Sequence, residues 1–317
     1  MGKNKGEITE LLAAFDLILD GKKVIIFGNR LKIEYKNDFV YKCFDLKKNI
    51  KIKEVNITDI KKLRDELIKE MLVTKNINGS YKYKTLEKIT NLLNVKENQL
   101  SAPSLYPVDI TAESENYTVK SQLGSCPSAY NYSKMTAHLY ETTLKPNEIN
   151  KYLKFKDENS FTKMLSLLYI EGKIVENSFL YDDAWYCEFL EKIDKNLPNI
   201  LAKISFLNVI KKNSHIEDIL TKKEMKSFNK FAKFICNGLT LRNIKTFSPQ
   251  KMKEIYYDKN LNRTIKDTNS DEYIKEFISG LRIDRGASKR TGIGQFEIID
   301  EKVYLRDDLY LRINKNA

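Results

Sequence analysis

VDITAESENYTVKSQLG, Val108 to Gly124, is the segment that places the central sheet of the chain. Two short β-prone runs flank a polar turn, and between them they carry one acid, Asp109, and one base, Lys120. With the turn centred between Ser114 and Glu115, Asp109 lies opposite Lys120, Thr111 opposite Thr118, and Pro107 opposite Gln122. Side chains alternate along a strand, so Thr118, Lys120 and Gln122 share one face while Tyr117, Val119 and Ser121 take the other. An acid beside an amine on one sheet face fits metal-assisted phosphodiester hydrolysis. The acid would hold Mg²⁺, which grips a phosphate oxygen and lowers the pKa of water, and the amine would steady the attacking hydroxide. The same pair also fits an ordinary surface ion pair, worth little to stability.

One carboxylate makes a poor Mg²⁺ site, so a second must come from elsewhere. From Glu7 to Leu19 the apolar positions Ile8, Leu11, Leu12, Phe15, Ile18 and Leu19 recur at helical spacing, and Gly21 closes the segment. Glu7 and Glu10, three apart near that helix's start, can supply the carboxylate, or can simply favour the helix N-terminus. KKVIIFG and RLKIEYK read as strands, ITDIKKLRDELIKEMLV and YKTLEKITNLLNV as helices, and ENQLSAPSLYP breaks the pattern before the opening stretch.

Downstream, SKMTAHLYETTL reads as a helix capped by Ser133, with His138 inside it, and helical periodicity dominates from about 146 to 240. The basic loop RIDRGASKRTGIG then leads into QFEII, a turn at Asp300 and Glu301, and KVYLRDDLYLRI, a terminal hairpin. The reading is an α/β chain: a region 1–145 with a central sheet, a mainly helical region 146–280 serving recognition or dimerisation, and a basic loop with a C-terminal β-hairpin over 281–317.

The 317 residues suffice for one large domain or two smaller ones without disulfides. Four cysteines without a C-x-x-C pair and two histidines leave no zinc or disulfide pattern, which fits a reducing, cytoplasmic setting. The start, MGKNKGEITELL, reads as neither an export signal nor a membrane anchor. Against 43 acids stand 55 Lys and Arg, and with 18 Tyr and 15 Phe the chain offers both phosphate attraction and stacking surface, so nucleic acid is the first partner to consider. A Lys-, Ile- and Asn-rich composition from genomic base bias would give the same charge.

Asp109 followed by Thr118-x-Lys120 is similar to the PD-(D/E)XK nuclease signature, and NKGEITELL resembles the helix that precedes that core. Three blocks, NKGEITELLAAFDLILDGKKV with GNRL, then DIT…YTVKSQLGSCPSAYNYSKMTAHLYE, then RIDRGASKRTGIGQFEIIDEKVYLRDDLYLRI, resemble in order and wording the HpaII-like type II restriction endonucleases. The resemblance implies a mixed sheet flanked by helices, Mg²⁺ as cofactor, and Asp109, Lys120, Glu10 and Gln122 as catalytic residues, with Asp109, Glu10 and Gln122 on the metal. It further implies double-strand cleavage at a short GC-rich palindrome of the CCGG kind, leaving 5′-phosphate and 3′-hydroxyl ends. A protecting DNA methyltransferase is the implied genetic partner. Two-fold target symmetry implies either a homodimer or a monomer nicking the strands in turn.

The sequence departs from the signature where Val108 separates Pro107 from Asp109 and where Thr118 stands for the acid two residues before Lys120. A hydroxyl cannot replace a carboxylate charge, so Glu10 is the expected second ligand, with Glu113, Glu115 and Glu141 behind it. For DNA contact the expected residues are Ser125, Ser128, Asn131 and Lys134 after the catalytic strand, and Arg282, Arg285, Ser288, Lys289 and Arg290 in the basic loop. Cys126 lacks the His and Asn/Asp partners of a thiol nucleophile, and Asp182–Asp183 read as a helix N-terminus. A repair or recombination nuclease on the same core, and a non-catalytic nucleic-acid binder with a decayed site, are the rival functions.

Overall fold

The computed structural model describes residues 3–26, 31–37, 40–45, 50–77, 79–97, 100, 108–123, 128–130, 136–153, 158–211, 215–236, 251–284 and 293–313. In chain order come α1 (Lys5–Leu19), β1 (Val24–Ile26), β2 (Leu31–Asn37), β3 (Val40–Asp45), β4 (Ile50–Asn56), α2 (Ile57–Val73), α3 (Lys84–Leu93), β5 (Ile110–Ala112) and β6 (Glu115–Ser121). Then follow β7 (Ser128–Tyr130), β8 (His138–Thr142), α4 (Glu158–Ile170), β9 (Ile174–Tyr181), α5 (Ala184–Ile193), α6 (Leu197–Ile210), α7 (Ile216–Ile219) and α8 (Lys222–Cys236). The chain ends with β10 (Met252–Tyr257), β11 (Arg263–Asp267), α9 (Asp271–Ser279), β12 (Leu281–Asp284), β13 (Phe296–Ile299), β14 (Lys302–Asp307) and β15 (Tyr310–Ile313). These elements form two compact units, one of residues 1–127 and 237–273, the other of residues 128–236 and 274–317.

The first unit is built on an eight-stranded mixed sheet in the order β11-β10-β6-β5-β1-β2-β3-β4. Its pairs are antiparallel except β10 with β6, which run parallel. Helix α1 is apolar almost all round, with Ile8, Leu11, Leu12, Phe15, Leu17 and Ile18 buried, which makes it a central core helix. It packs against Val24, Ile110, Ala112, Tyr117, Ile255 and Tyr257 of the sheet and against Ile60, Leu63 and Leu67 of α2. Asn4 and Glu7 form a reciprocal capping box at its start, and Gly21 at φ +79° ends it where a side chain would strain the backbone.

Asp16, at the start of the last turn of α1, is a buried acid. Arg64 Nε donates to it at 2.8 Å and the Tyr257 hydroxyl at 2.6 Å, so α2, α1 and β10 are tied through one carboxylate. The expected result for Tyr257→Phe is a loss of about 1.5–3 kcal/mol in urea unfolding, the size of a hydrogen bond to a charged group. No change would mean that Arg64 alone satisfies Asp16.

The hairpin β5–β6 closes on a two-residue turn, Glu113–Ser114, with Glu113 at φ +52°. Glu113 is held there because its Oε1 accepts the Lys23 N–H at 2.8 Å and its own N–H donates to the Lys23 carbonyl at 2.9 Å. The register therefore differs from the sequence expectation: Thr111 faces Asn116, not Thr118, a slip of two residues. An even slip keeps every side chain on its expected face, whereas a slip of one would have reversed them all.

In the second unit β12-β15-β7 form one sheet and β13-β14-β8-β9 another. The expected terminal hairpin is β13–β14, turning at Asp300 and Glu301, both with positive φ. SKMTAHLYETTL is corrected: His138–Thr142 is strand β8, paired with β14 on one side and β9 on the other, so His138 lies in a sheet rather than a helix. An interior strand flanked on both sides accepts the aromatic and β-branched run His-Leu-Tyr-Glu-Thr, whose burial hides the usual polar alternation. Asp183 is the N-cap of α5, accepting from Tyr186 N at 3.0 Å. Among the described residues, no helix is long and apolar enough to cross a membrane.

Candidate active site

Three elements of the first unit bring Glu10, Asp109 and Lys120 together. Glu10 lies on the first turns of α1, Asp109 precedes β5, and Lys120 stands near the end of β6. Asp109 is fixed by its neighbour strand: its Oδ2 accepts the Val119 N–H at 2.7 Å and the Thr118 hydroxyl at 3.2 Å, while its own N–H donates to Tyr117 O at 3.1 Å. Thr118, where the signature has an acid, thus serves as a donor that orients Asp109. Lys120 follows on the same strand face.

The electrostatics tie the three groups into one cluster. Burial pushes the Glu10 carboxyl well above the usual carboxylate range, and the neighbouring Asp109 charge pushes it further, against opposing pulls from Lys120 and Lys3. Burial also raises the Asp109 carboxyl, with Lys120, the Val119 N–H and Thr118 acting in the opposite direction. Among the described residues, neither the Glu10 carboxylate nor the Lys120 ammonium has a hydrogen-bond partner, and only one oxygen of Asp109 is engaged. Two half-buried acids, one close enough to raise the other, beside an amine without a partner among the described residues form an arrangement that folding alone leaves unfavourable.

Both carboxyls have raised folded pKa values, so in the folded state they keep protons that the unfolded chain has already released. Their contribution to stability is full below the ordinary carboxylate range and is lost as pH rises through the raised values. In a chelator, the urea midpoint is expected to fall from mildly acidic to mildly alkaline pH. A midpoint that rises over that span would contradict the burial of these groups.

Several of the other expected residues are engaged elsewhere. Glu7 is committed to the capping box, accepting the Asn4 N–H at 3.0 Å, and Lys3 stands 3.4 Å from it. Gln122 lies two residues beyond Lys120, its backbone N–H held by Tyr257 O at 3.0 Å. Glu113 is taken by the turn, and Glu115 by Tyr117 and Lys253, so neither is available to Asp109. Glu141 sits on β8 of the second unit, bonded by Ser178 at 2.7 Å and Lys302 at 2.9 Å. Ser128 opens β7, where its main chain pairs with Arg312. Arg282 on β12 pairs with Asp284 at 2.7 Å. Pro107, Ser125, Cys126, Asn131, Lys134, Arg285, Ser288, Lys289 and Arg290 lie outside the described residues.

Sequence reasoning missed Lys3, a buried cation that donates to the Leu100 carbonyl at 3.3 Å and draws on Glu10. Nothing in MGKNKGE distinguishes Lys3 from Lys5, because its burial comes from a bridge to Tyr81, far along the chain.

Among the described residues, no group of three or more His, Cys, Asp or Glu side chains is placed to hold a metal ion. The carboxylates that could hold an ion are Glu10 and Asp109, with the Gln122 amide as the further expected ligand. Mg²⁺ commonly takes one or two carboxylates and fills its other positions with water and substrate phosphate, so the pair fits that ion and not a transition metal that needs a full protein cage. No protein family, curated protein or solved structure matches the chain.

Proposed function

We propose that this protein is a Mg²⁺-dependent nuclease of the PD-(D/E)XK type that cuts double-stranded DNA at a short GC-rich palindrome, as a type II restriction endonuclease does. The observation that carries the reading is the convergence of Glu10, Asp109 and Lys120 with hydrogen-bonding capacity left over. The residues quoted for the HpaII-like resemblance supply the substrate and the target class. The surplus of twelve positive charges suits a polyanionic partner.

Glu10 and Asp109 would hold the ion, which when bound supplies a Lewis acid for a phosphate oxygen and a lowered pKa for the attacking water. Asp109 is kept in place by the Val119 N–H and Thr118. Lys120, without a partner among the described residues, would donate to the water or to the phosphate, steadying the charge that develops as water adds to phosphorus and the bond to O3′ breaks. The products are a 3′-hydroxyl and a 5′-phosphate. A protecting methyltransferase and a homodimer with one site per strand belong to this reading.

Thr118 favours a second reading, a DNA binder whose site has lost its cutting acid, since its hydroxyl spends one Asp109 oxygen without adding charge. Plasmid DNA incubated with the protein, with and without Mg²⁺, separates these. Discrete Mg²⁺-dependent bands support restriction. A smear, or selective cutting of branched DNA, supports a repair nuclease instead, and retained binding without any cut supports the binder.

A further inference from the structure

The second unit contains a cavity of about 580 Å³, within the range of about 300–1,000 Å³ that encloses small ligands. We propose that it binds a nucleotide, with the base against its aromatic wall and the phosphate at its cationic rim. The inference stands apart from the metal-site reading, whose residues all lie in the other unit.

The wall is made by Tyr140, Phe179 and Phe206. Tyr140 and Phe206 meet with ring centroids 5.5 Å apart at 59°, so the wall is built of two tilted rings in contact. Tyr140 cannot turn away, because its hydroxyl sits 2.8 Å from His138 Nε2, 3.1 Å from the Ala202 carbonyl and 3.2 Å from Asp307 Oδ2, and Ser205 holds the same Asp307 oxygen at 2.7 Å. A buried polar network of this kind fixes the wall before any ligand arrives.

The polar groups of the cavity match the rest of a nucleotide. Asn196 and Asn199, one helical turn apart at the start of α6, are exposed and line the cavity. Each amide offers donors and an acceptor, the mixture that a base edge presents. Lys203 is neutralised by Glu224 at 2.7 Å, whereas Lys223, exposed at the rim, has no ion-pair partner among the described residues. Lys222 and Lys226 stand exposed on the same helix. The rim is therefore net positive, and an apolar ligand would leave both the amides and Lys223 unused.

The test is calorimetric titration of the full chain with the four deoxynucleoside monophosphates and the matching deoxynucleosides. At least one monophosphate is expected to bind more tightly than its nucleoside. Lys223→Ala should remove that advantage, worth about tenfold or more in Kd for a charge-assisted contact. Asn199→Ala should weaken nucleotide and nucleoside alike. Both positions are exposed, so the variants leave the core intact, and a thermal melt checks that they do.

A parallel titration with duplex DNA carrying 2-aminopurine distinguishes the source. A fluorescence rise lost in Phe206→Leu identifies a nucleotide extruded from DNA, and binding of the free monophosphates alone identifies a soluble nucleotide. No binding in either arm overturns the proposal, as does binding that neither Asn199→Ala nor Lys223→Ala alters.

Discussion

Lys120→Ala is expected to reduce Mg²⁺-dependent DNA cleavage by about 10²–10³-fold, the loss that follows removal of one charge-stabilising donor. DNA binding should persist, because cations spread over the surface dominate affinity for phosphate. The expectation rests on Lys120 having no partner among the described residues, so that its ammonium is not already spent on the fold. Lys120→Arg should not restore cutting, since a planar fork does not occupy the place of a compact ammonium. Were the Asp109 and Lys120 pair only a surface contact, Lys120→Ala would cut normally and change stability by at most about 1 kcal/mol. Asp109→Ala should fall with Lys120→Ala, and Asp109→Asn should separate its two roles. The amide oxygen can still accept the Val119 N–H, yet it lacks the charge that an ion requires.

Glu10→Gln is expected to move activity and stability in opposite directions. Cleavage should drop by a factor comparable to that of Lys120→Ala, because one of only two carboxylates is gone. Without metal, however, the variant should be more stable than the natural chain at neutral and alkaline pH. Burial and the Asp109 charge both oppose ionisation of Glu10, and a glutamine has no proton to lose. The gain should vanish at acidic pH, where Glu10 is protonated in folded and unfolded chains alike. Urea unfolding across pH in a chelator measures it. A variant less stable than the natural chain at every pH would place Glu10 in a structural role.

The positions of these residues were legible in the sequence to different degrees. The apolar spacing of Ile8, Leu11, Leu12, Phe15 and Ile18 announces α1, and with it the place of Glu10, because helical periodicity is a local signal. The two-fold alternation of Thr118 and Lys120 survives a register error of two residues, so the shared face was readable although the pairing was not. The pairing was set by Lys23, whose backbone captures Glu113 from ninety residues away, and no local pattern encodes that.

Strands β10 and β11 were missed for a related reason. Glu254 is buried within β10 and bonded by the Tyr273 hydroxyl at 2.9 Å, so the strand lacks a clean polar and apolar alternation. Its parallel partner β6 lies far back in the sequence, and such a pairing leaves no turn to recognise. His138 sits in a strand that shows no period-two signal, because β8 is buried on both faces and His-Leu-Tyr-Glu-Thr therefore lacks the usual polar alternation.

The reading as a nuclease depends on a divalent ion being accepted between Glu10 and Asp109, and calorimetric titration of the full chain with Mg²⁺ tests that most directly. Performed in two buffers of different ionisation enthalpy, the titration should show binding accompanied by proton release, since ion entry ionises carboxyls held above their usual range. The signal should disappear in Glu10→Gln and in Asp109→Asn. Absence of binding in the natural chain, or equal binding in both variants, would contradict the account.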